Sequence, residues 1–250
     1  MIKEVRVRGH LLTVTVLVAW VVSVSAWSQV IHYRQNFDNL KDGPADGQDG
    51  WAVGAPALMP STIITSKVKH GAAGKAMELN AMQEVIHDFS PPIKSGVHFL
   101  SLWFRVENPT ADNTMHVYMG EQTKEWNAGP VIRIGAQSTE PNKVGVHDGQ
   151  TVKPVADIKK GEWQRLLSVM NVDKQTYTVS VDEVVAAKDF AWRNAAGHKA
   201  LGWLMLGFDA GAGLIGYYDD VVYGEGGTFA GLAVEPVGKV ATTWADLRRP

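Results

Sequence analysis

From residue 75 to residue 223 the chain repeats one pattern: a short run rich in valine, isoleucine and aromatic residues, closed by turn chemistry, then another such run. Ten segments follow it: Lys75–Leu79, Glu84–Phe89, Val97–Glu107, Met115–Met119, Val131–Gly135, Lys143–His147, Trp163–Asn171, Thr176–Val181, Leu201–Phe208 and Tyr217–Tyr223. β-Branched and aromatic residues suit a pleated, half-buried surface, so these runs read as strands. Asp42-Gly43-Pro44, Asp46-Gly47, Asp49-Gly50, Ser90-Pro91-Pro92, His147-Asp148-Gly149 and Asp209-Ala210-Gly211 supply turns. Beyond residue 30 no window of twelve residues carries apolar side chains at the 3.6-residue period of a helix. Strands without helical crossovers pair antiparallel, and two packed sheets are the economical way to bury so many of them. The expectation is an all-β, two-sheet antiparallel sandwich with Trp163, Trp203 and Phe104 in its core.

The first 26 residues read differently. Lys3, Arg6 and Arg8 precede the apolar run Leu11–Val22, and small residues follow through Ser25-Ala26. That is the layout of a secretory signal peptide, cleaved near Ala26 or Ser28. The apolar run falls short of the roughly 20 residues of a spanning helix. The alternative is an uncleaved anchor, because Trp27 and Val30-Ile31 extend the apolar character. Cleavage moves the formal charge from −2 to −4, since the leader carries Lys3, Arg6, Arg8 and Glu4. The expected address is secreted, periplasmic or cell-envelope, with no membrane span once the leader is removed. Residues 226–250 begin at Gly226-Gly227 and read as a C-terminal tail or strap, in which Thr243-Trp244-Ala245-Asp246 has capping-box-like spacing.

Composition removes several function classes. There is no cysteine, which excludes disulfides, thiolate zinc sites, iron–sulfur clusters, a cysteine nucleophile and a lipid-modified cysteine anchor. A near-neutral balance without a lysine or arginine block lacks the footprint of a nucleic-acid binder. No G-x-S-x-G, H-E-x-x-H or P-loop pattern occurs. The glycines of Gly207–Gly213 follow a strand in an all-β context and read as a loop.

Two stretches resemble a known superfamily. Lys160-Gly161-Glu162-Trp163-Gln164-Arg165 leads a strand, Asn171–Gln175 makes a turn, and Thr176–Asp182 returns; later Tyr217-Tyr218-Asp219-Asp220-Val221-Val222-Tyr223 closes the pattern. Together with Phe37-Asp38 and Asp49-Gly50-Trp51, this is similar to the concanavalin A-like, laminin-G-like jelly rolls across residues 33–225. The resemblance implies a jelly roll over residues 27–225. It also implies a structural Ca²⁺ held between the start of the domain and its last strand, with Asp38, Asp219 and Asp220 as the matching carboxylates. Calcium takes six to eight oxygens, which carboxylates and carbonyls supply. A turn-capping or arginine-pairing role for Asp219 and Asp220 is the alternative. Glycoside hydrolases of such folds carry E-x-D-x-x-E on one strand, where alternation gathers the acids on one face. This chain has no such run; Glu78 and Glu84 are distant and interrupted by an expected turn, and Asp182-Glu183 are adjacent and so point to opposite faces.

What remains is a polar and aromatic set at alternate strand positions. Trp103 and Arg105 alternate with Leu102, Phe104 and Val106; His116 and Tyr118 with Val117 and Met119; Arg133 lies between Ile132 and Ile134; His147 follows Val146. If these strands are neighbours, one face presents Trp103, Arg105, His116, Tyr118, Arg133 and His147. Aromatics stack on sugar rings, while arginine and histidine hold hydroxyls or carboxylates. The expected function is therefore a secreted, non-catalytic carbohydrate-binding or cell-surface module with a polysaccharide partner. The bland alternative is an ordinary solvated sheet face, as in a structural envelope protein. A third reading follows from jelly-roll polysaccharide lyases, which neutralise a uronate carboxylate with arginine or glutamine and move protons with histidine or tyrosine. The chain has those residue types without the family's R-x-E-L-R or Q-I-H strands; Gln83–His87 is a loose echo.

Overall fold

The computed structural model describes residues 30–53, 62–79, 84–109, 114–121, 129–135, 140–209 and 214–227. The expected leader (1–26) and nearly all of the expected tail (226–250) lie outside these residues. The described residues are strands and turns, with a single 3₁₀ turn at Ala195–Gly197. Nine strands form one sheet, in the order β14 (Val184–Ala191), β13 (Thr176–Val181), β12 (Gln164–Asn171), β7 (Val97–Val106), β16 (Gly216–Glu225), β5 (Ala76–Leu79), β4 (Thr62–Thr65) and β2 (Gly43–Pro44). The ninth, β1 (Val30–Gln35), pairs with the C-terminal half of β16. Seven form the second sheet: β11 (Val152–Asp157), β10 (Lys143–His147), β9 (Val131–Ile134), β8 (Thr114–Gly120), β15 (Leu201–Asp209), β6 (Glu84–Ile93) and β3 (Trp51–Val53). Every pairing is antiparallel, and the two sheets stack as a sandwich of the jelly-roll kind.

Alternation places the core. Leu102, Phe104 and Val106 of β7 enter one buried cluster with Met115, Val117 and Met119 of β8, Ile132 and Ile134 of β9, and Leu204 and Leu206 of β15. Their odd-numbered or even-numbered neighbours therefore face outward on each sheet. Phe104 sits in the core as expected. Trp203 is buried as expected, and the expectation for Trp163 needs correction. Trp163 is only half-buried, and its indole N–H donates to the Lys69 carbonyl at 2.9 Å. Trp203 is fully buried, but outside the space between the sheets, in a second cluster with Ile86, Tyr118, Val131 and Met205. Gly120 makes room for that indole: a Cβ there would lie 2.5 Å from Trp203 Cζ2.

Two irregularities matter for the sites. Asp182 and Glu183 form the two-residue turn between β13 and β14, at φ 48° and 69°. Paired positive φ values are what twisted hairpins require, so these acids are turn residues rather than strand residues on opposite faces. In β16 the register with β7 shifts between Asp219 and Val222, with Asp220 at φ 48°. This extra residue lets Tyr218 and Val221 both reach the core while Asp219 points away from it.

Candidate functional site

On the outer face of the seven-stranded sheet, register lines up side chains from five strands. Glu84 pairs with Gly207, Gly207 with His116, His116 with Arg133, and Arg133 with Gly145. The neighbouring row reads Ile86, Met205, Tyr118 and Val131. A polar row of glutamate, histidine and arginine, with one glycine between the glutamate and the histidine and another at its end, thus runs beside an apolar floor. The His116 and Tyr118 rings stack with centroids 4.3 Å apart. Arg133 donates through Nε to the Tyr118 hydroxyl at 3.2 Å. His116 Nε2 lies 3.1 Å from Glu84 Oε1, with both side chains essentially buried. The contact lacks hydrogen-bond alignment; among the described residues, Glu84 Oε2 and His116 Nδ1 have no hydrogen-bond partner either. Arg133 is the half-buried member of the row.

His147 follows Gly145 on the same outer face of β10. Its Nδ1 accepts the Gly149 N–H at 3.0 Å, and its carbonyl accepts the Tyr177 hydroxyl at 2.6 Å. Burial, aided by Arg193 and Arg133 and opposed by Asp148, holds its imidazole below the ordinary value of 6.5. The unfolded chain therefore binds a proton at a pH where the folded chain does not. This stability is present above about pH 6.5 and is lost as pH falls toward the folded value. Replacing His147 by asparagine keeps an acceptor for Gly149 and removes the titration. Urea midpoints between about pH 7 and pH 5 should fall less for His147→Asn than for the parent protein; an equal fall would contradict the assignment.

Trp103 and Arg105 point outward as expected, but from the nine-stranded sheet. The structure separates them from His116, Tyr118, Arg133 and His147 by the thickness of the sandwich, so the six do not share a face. The cause is topological: β7 and β8 are consecutive in the chain yet belong to different sheets. His70 stacks on Trp103 with centroids 3.9 Å apart and takes the place that a sugar ring would occupy. Arg105 pairs with Glu107 at 2.7 Å. Glu84 is the site residue that the sequence reading passed over; its alternation with Val85 shows that it faces outward, but nothing local shows that His116 lies two strands away.

The three candidate calcium carboxylates lie in the same region of the nine-stranded sheet. The Asp219 carboxylate accepts backbone N–H groups from His70 at 3.0 Å and Asp220 at 2.7 Å. His70 Nδ1 lies 2.9 Å from Asp220 Oδ2. Asp38 accepts the Lys75 N–H at 2.9 Å and the Asn36 amide at 2.8 Å. Burial first, then the Asp220 and Asp38 charges, push Asp219 up to about 8 against the His70 hydrogen bond. A buried carboxyl beside two others is of the donor type that a hard cation takes, although these three carboxylates do not converge as closely as His32, His98 and Glu225 do.

No protein-family model matches the chain, and no curated protein matches it in sequence. Solved structures do share its fold. A "Cellulose induced protein, Cip1" superposes with a TM-score of 0.54 at 14% identity, over 76% of this chain and 96% of that one. The receptor binding domain of botulinum neurotoxin D gives 0.52 at 10% identity, over 80% of this chain and 50% of that one. A sialidase gives 0.51 at 10% identity, over 70% of this chain and only 17% of the sialidase. At such identities these likenesses establish the β-sandwich fold alone.

Proposed function

We propose that this chain is a non-catalytic glycan-binding domain of the concanavalin A-like kind, exported from the cell. Its contact residue is Arg133, half-buried on the outer face of the seven-stranded sheet, with the buried His116, Tyr118 and His147 behind it. The observation that carries this reading is the cross-strand row Glu84–His116–Arg133 beside Tyr118. An outer sheet face that serves only to be covered is satisfied by apolar side chains, as the adjacent Ile86–Met205–Val131 floor is. Here the sheet instead places an arginine, a histidine and a tyrosine hydroxyl in register, and a half-buried arginine suits a carboxylate-bearing saccharide. The likeness to a sialidase and to a receptor binding domain is in keeping with this reading.

A glycan array probed with the full chain should show binding, strongest for acidic saccharides. A second reading is favoured by Glu84 Oε2 and His116 Nδ1, which have no hydrogen-bond partner among the described residues, because carboxylate, imidazole and phenol are the side chains that move protons. In that reading Arg133 neutralises a uronate carboxylate, and β-elimination breaks the glycosidic bond while forming a carbon–carbon double bond. Ultraviolet absorbance of the unsaturated product decides between the two. Binding without product supports the domain as proposed, product formation supports a lyase, and silence in both assays leaves a structural envelope protein.

We further propose that Asp219, with Asp220 and Asp38, holds a structural Ca²⁺. A ligand that binds only the folded state raises the unfolding midpoint. Chelator-treated protein should gain thermal stability on adding Ca²⁺, and Asp219→Asn should lose that gain. A midpoint indifferent to calcium would rule the site out.

A further inference from the structure

We propose that His32, His98 and Glu225 form a binding site for Zn²⁺ at one end of the sandwich, on the opposite pole of chemistry from the all-oxygen carboxylate cluster at Asp219. Among the described residues these three bring one ligand atom each to within 4.8 Å of one another. They come from three adjacent strands, β1, β7 and β16, and Glu225 is the direct register partner of His98. His32 arrives there through a bulge. β1 slips against β16 between Ile31 and Tyr33, which leaves His32 as the extra residue and puts its Nε2 3.0 Å from Glu225 Oε1. Bulges of this kind re-aim a side chain beside a functional position.

The chemistry of the set selects the ion. Two imidazoles and one carboxylate are donors for Zn²⁺ and its first-row neighbours, whereas Ca²⁺ and Mg²⁺ take oxygen alone. Tetrahedral Zn²⁺ with bonds of about 2.0–2.2 Å draws its ligands to about 3.3 Å apart. The exposed His32 and Glu225 are free to make that small closure, while the buried His98 is the fixed member. The Ser95 carbonyl lies 2.9 Å from His98 Nε2 and the Tyr223 hydroxyl 3.2 Å from Nδ1. One of these exchanges its contact for the metal and the other keeps the ring oriented, as partners behind a metal-bound imidazole do. Three protein ligands leave a fourth position open. It faces a cleft of about 550 Å³ whose wall also carries His87, Asp88 and Lys94, so water or a small anion can complete the coordination.

The test is a titration of metal-free, full-length protein with Zn²⁺ in competition with a chromophoric chelator. It is repeated with His32→Ala and Glu225→Gln, both surface substitutions whose folding is checked by circular dichroism. The parent protein should bind Zn²⁺, and each variant should bind at least about tenfold more weakly, since loss of a mere supporting partner already costs that much. Absence of Zn²⁺ binding by the parent protein, or parental affinity in either variant, overturns the site. Neither outcome bears on glycan recognition, which is read separately on the opposite sheet's outer face.

Discussion

Phe104→Ala should lower the stability of the domain by about 3–5 kcal/mol, the range for emptying a large aromatic site in a packed core. Phe104 is fully buried between the sheets, against Leu102, Met115 and Tyr218 in one continuous cluster. Its chain neighbour Trp103 has more atoms, yet Trp103→Ala should cost only about 1–2 kcal/mol, because what it loses is a half-exposed stack on His70. Urea unfolding of the two variants side by side checks this. Equal losses would mean that β7 does not present alternate faces to core and surface as described.

Glu84→Ala should also be damaging, at about 1–3 kcal/mol, because it strips a buried polar side chain of its neighbour. It leaves the His116 imidazole wholly buried without its carboxylate neighbour, and a buried polar group left alone costs more than an apolar pair of the same shape. The double variant Glu84→Leu/His116→Phe removes both polar groups and keeps a ring against Tyr118, so it should regain most of the lost stability. Recovery identifies the pair as a device retained for something other than stability. A double variant as unstable as Glu84→Ala would instead make the pair an ordinary structural element.

The ten runs rich in β-branched and aromatic residues are all strands, because their alternation against turn residues is a local signal that survives tertiary context. Six of the sixteen described strands, β1 to β4, β11 and β14, lie outside those runs, and two of them explain themselves. β11 carries Pro154, and β14 exposes Val184 at 69% and Val185 at 55%; each is the outermost strand of its sheet. An edge strand with solvent on one side needs little alternation, so it leaves little trace. The direction of each candidate side chain was equally legible: Trp103, His116, Tyr118, Arg133 and His147 all point away from the space between the sheets, although His116, Tyr118 and His147 are buried on that outer side. Which sheet each strand joins was not, because that depends on pairings such as Gln164 with Phe104 and Glu84 with Gly207, far apart in the chain. Trp203 shows the same limit. Its apolar run marks it as buried, but Gly120, 83 positions earlier, decides that it is buried on the outer side.

The most direct measurement is the affinity of Arg133→Ala for the acidic saccharide that the parent protein binds best, with Trp103→Ala as the control on the other sheet. A charge-assisted contact of about 1.5–3 kcal/mol predicts a loss of roughly ten- to a hundredfold for Arg133→Ala, with Trp103→Ala unchanged. Undiminished binding by Arg133→Ala, or a loss confined to Trp103→Ala, would contradict the assignment of glycan recognition to the outer face of the seven-stranded sheet.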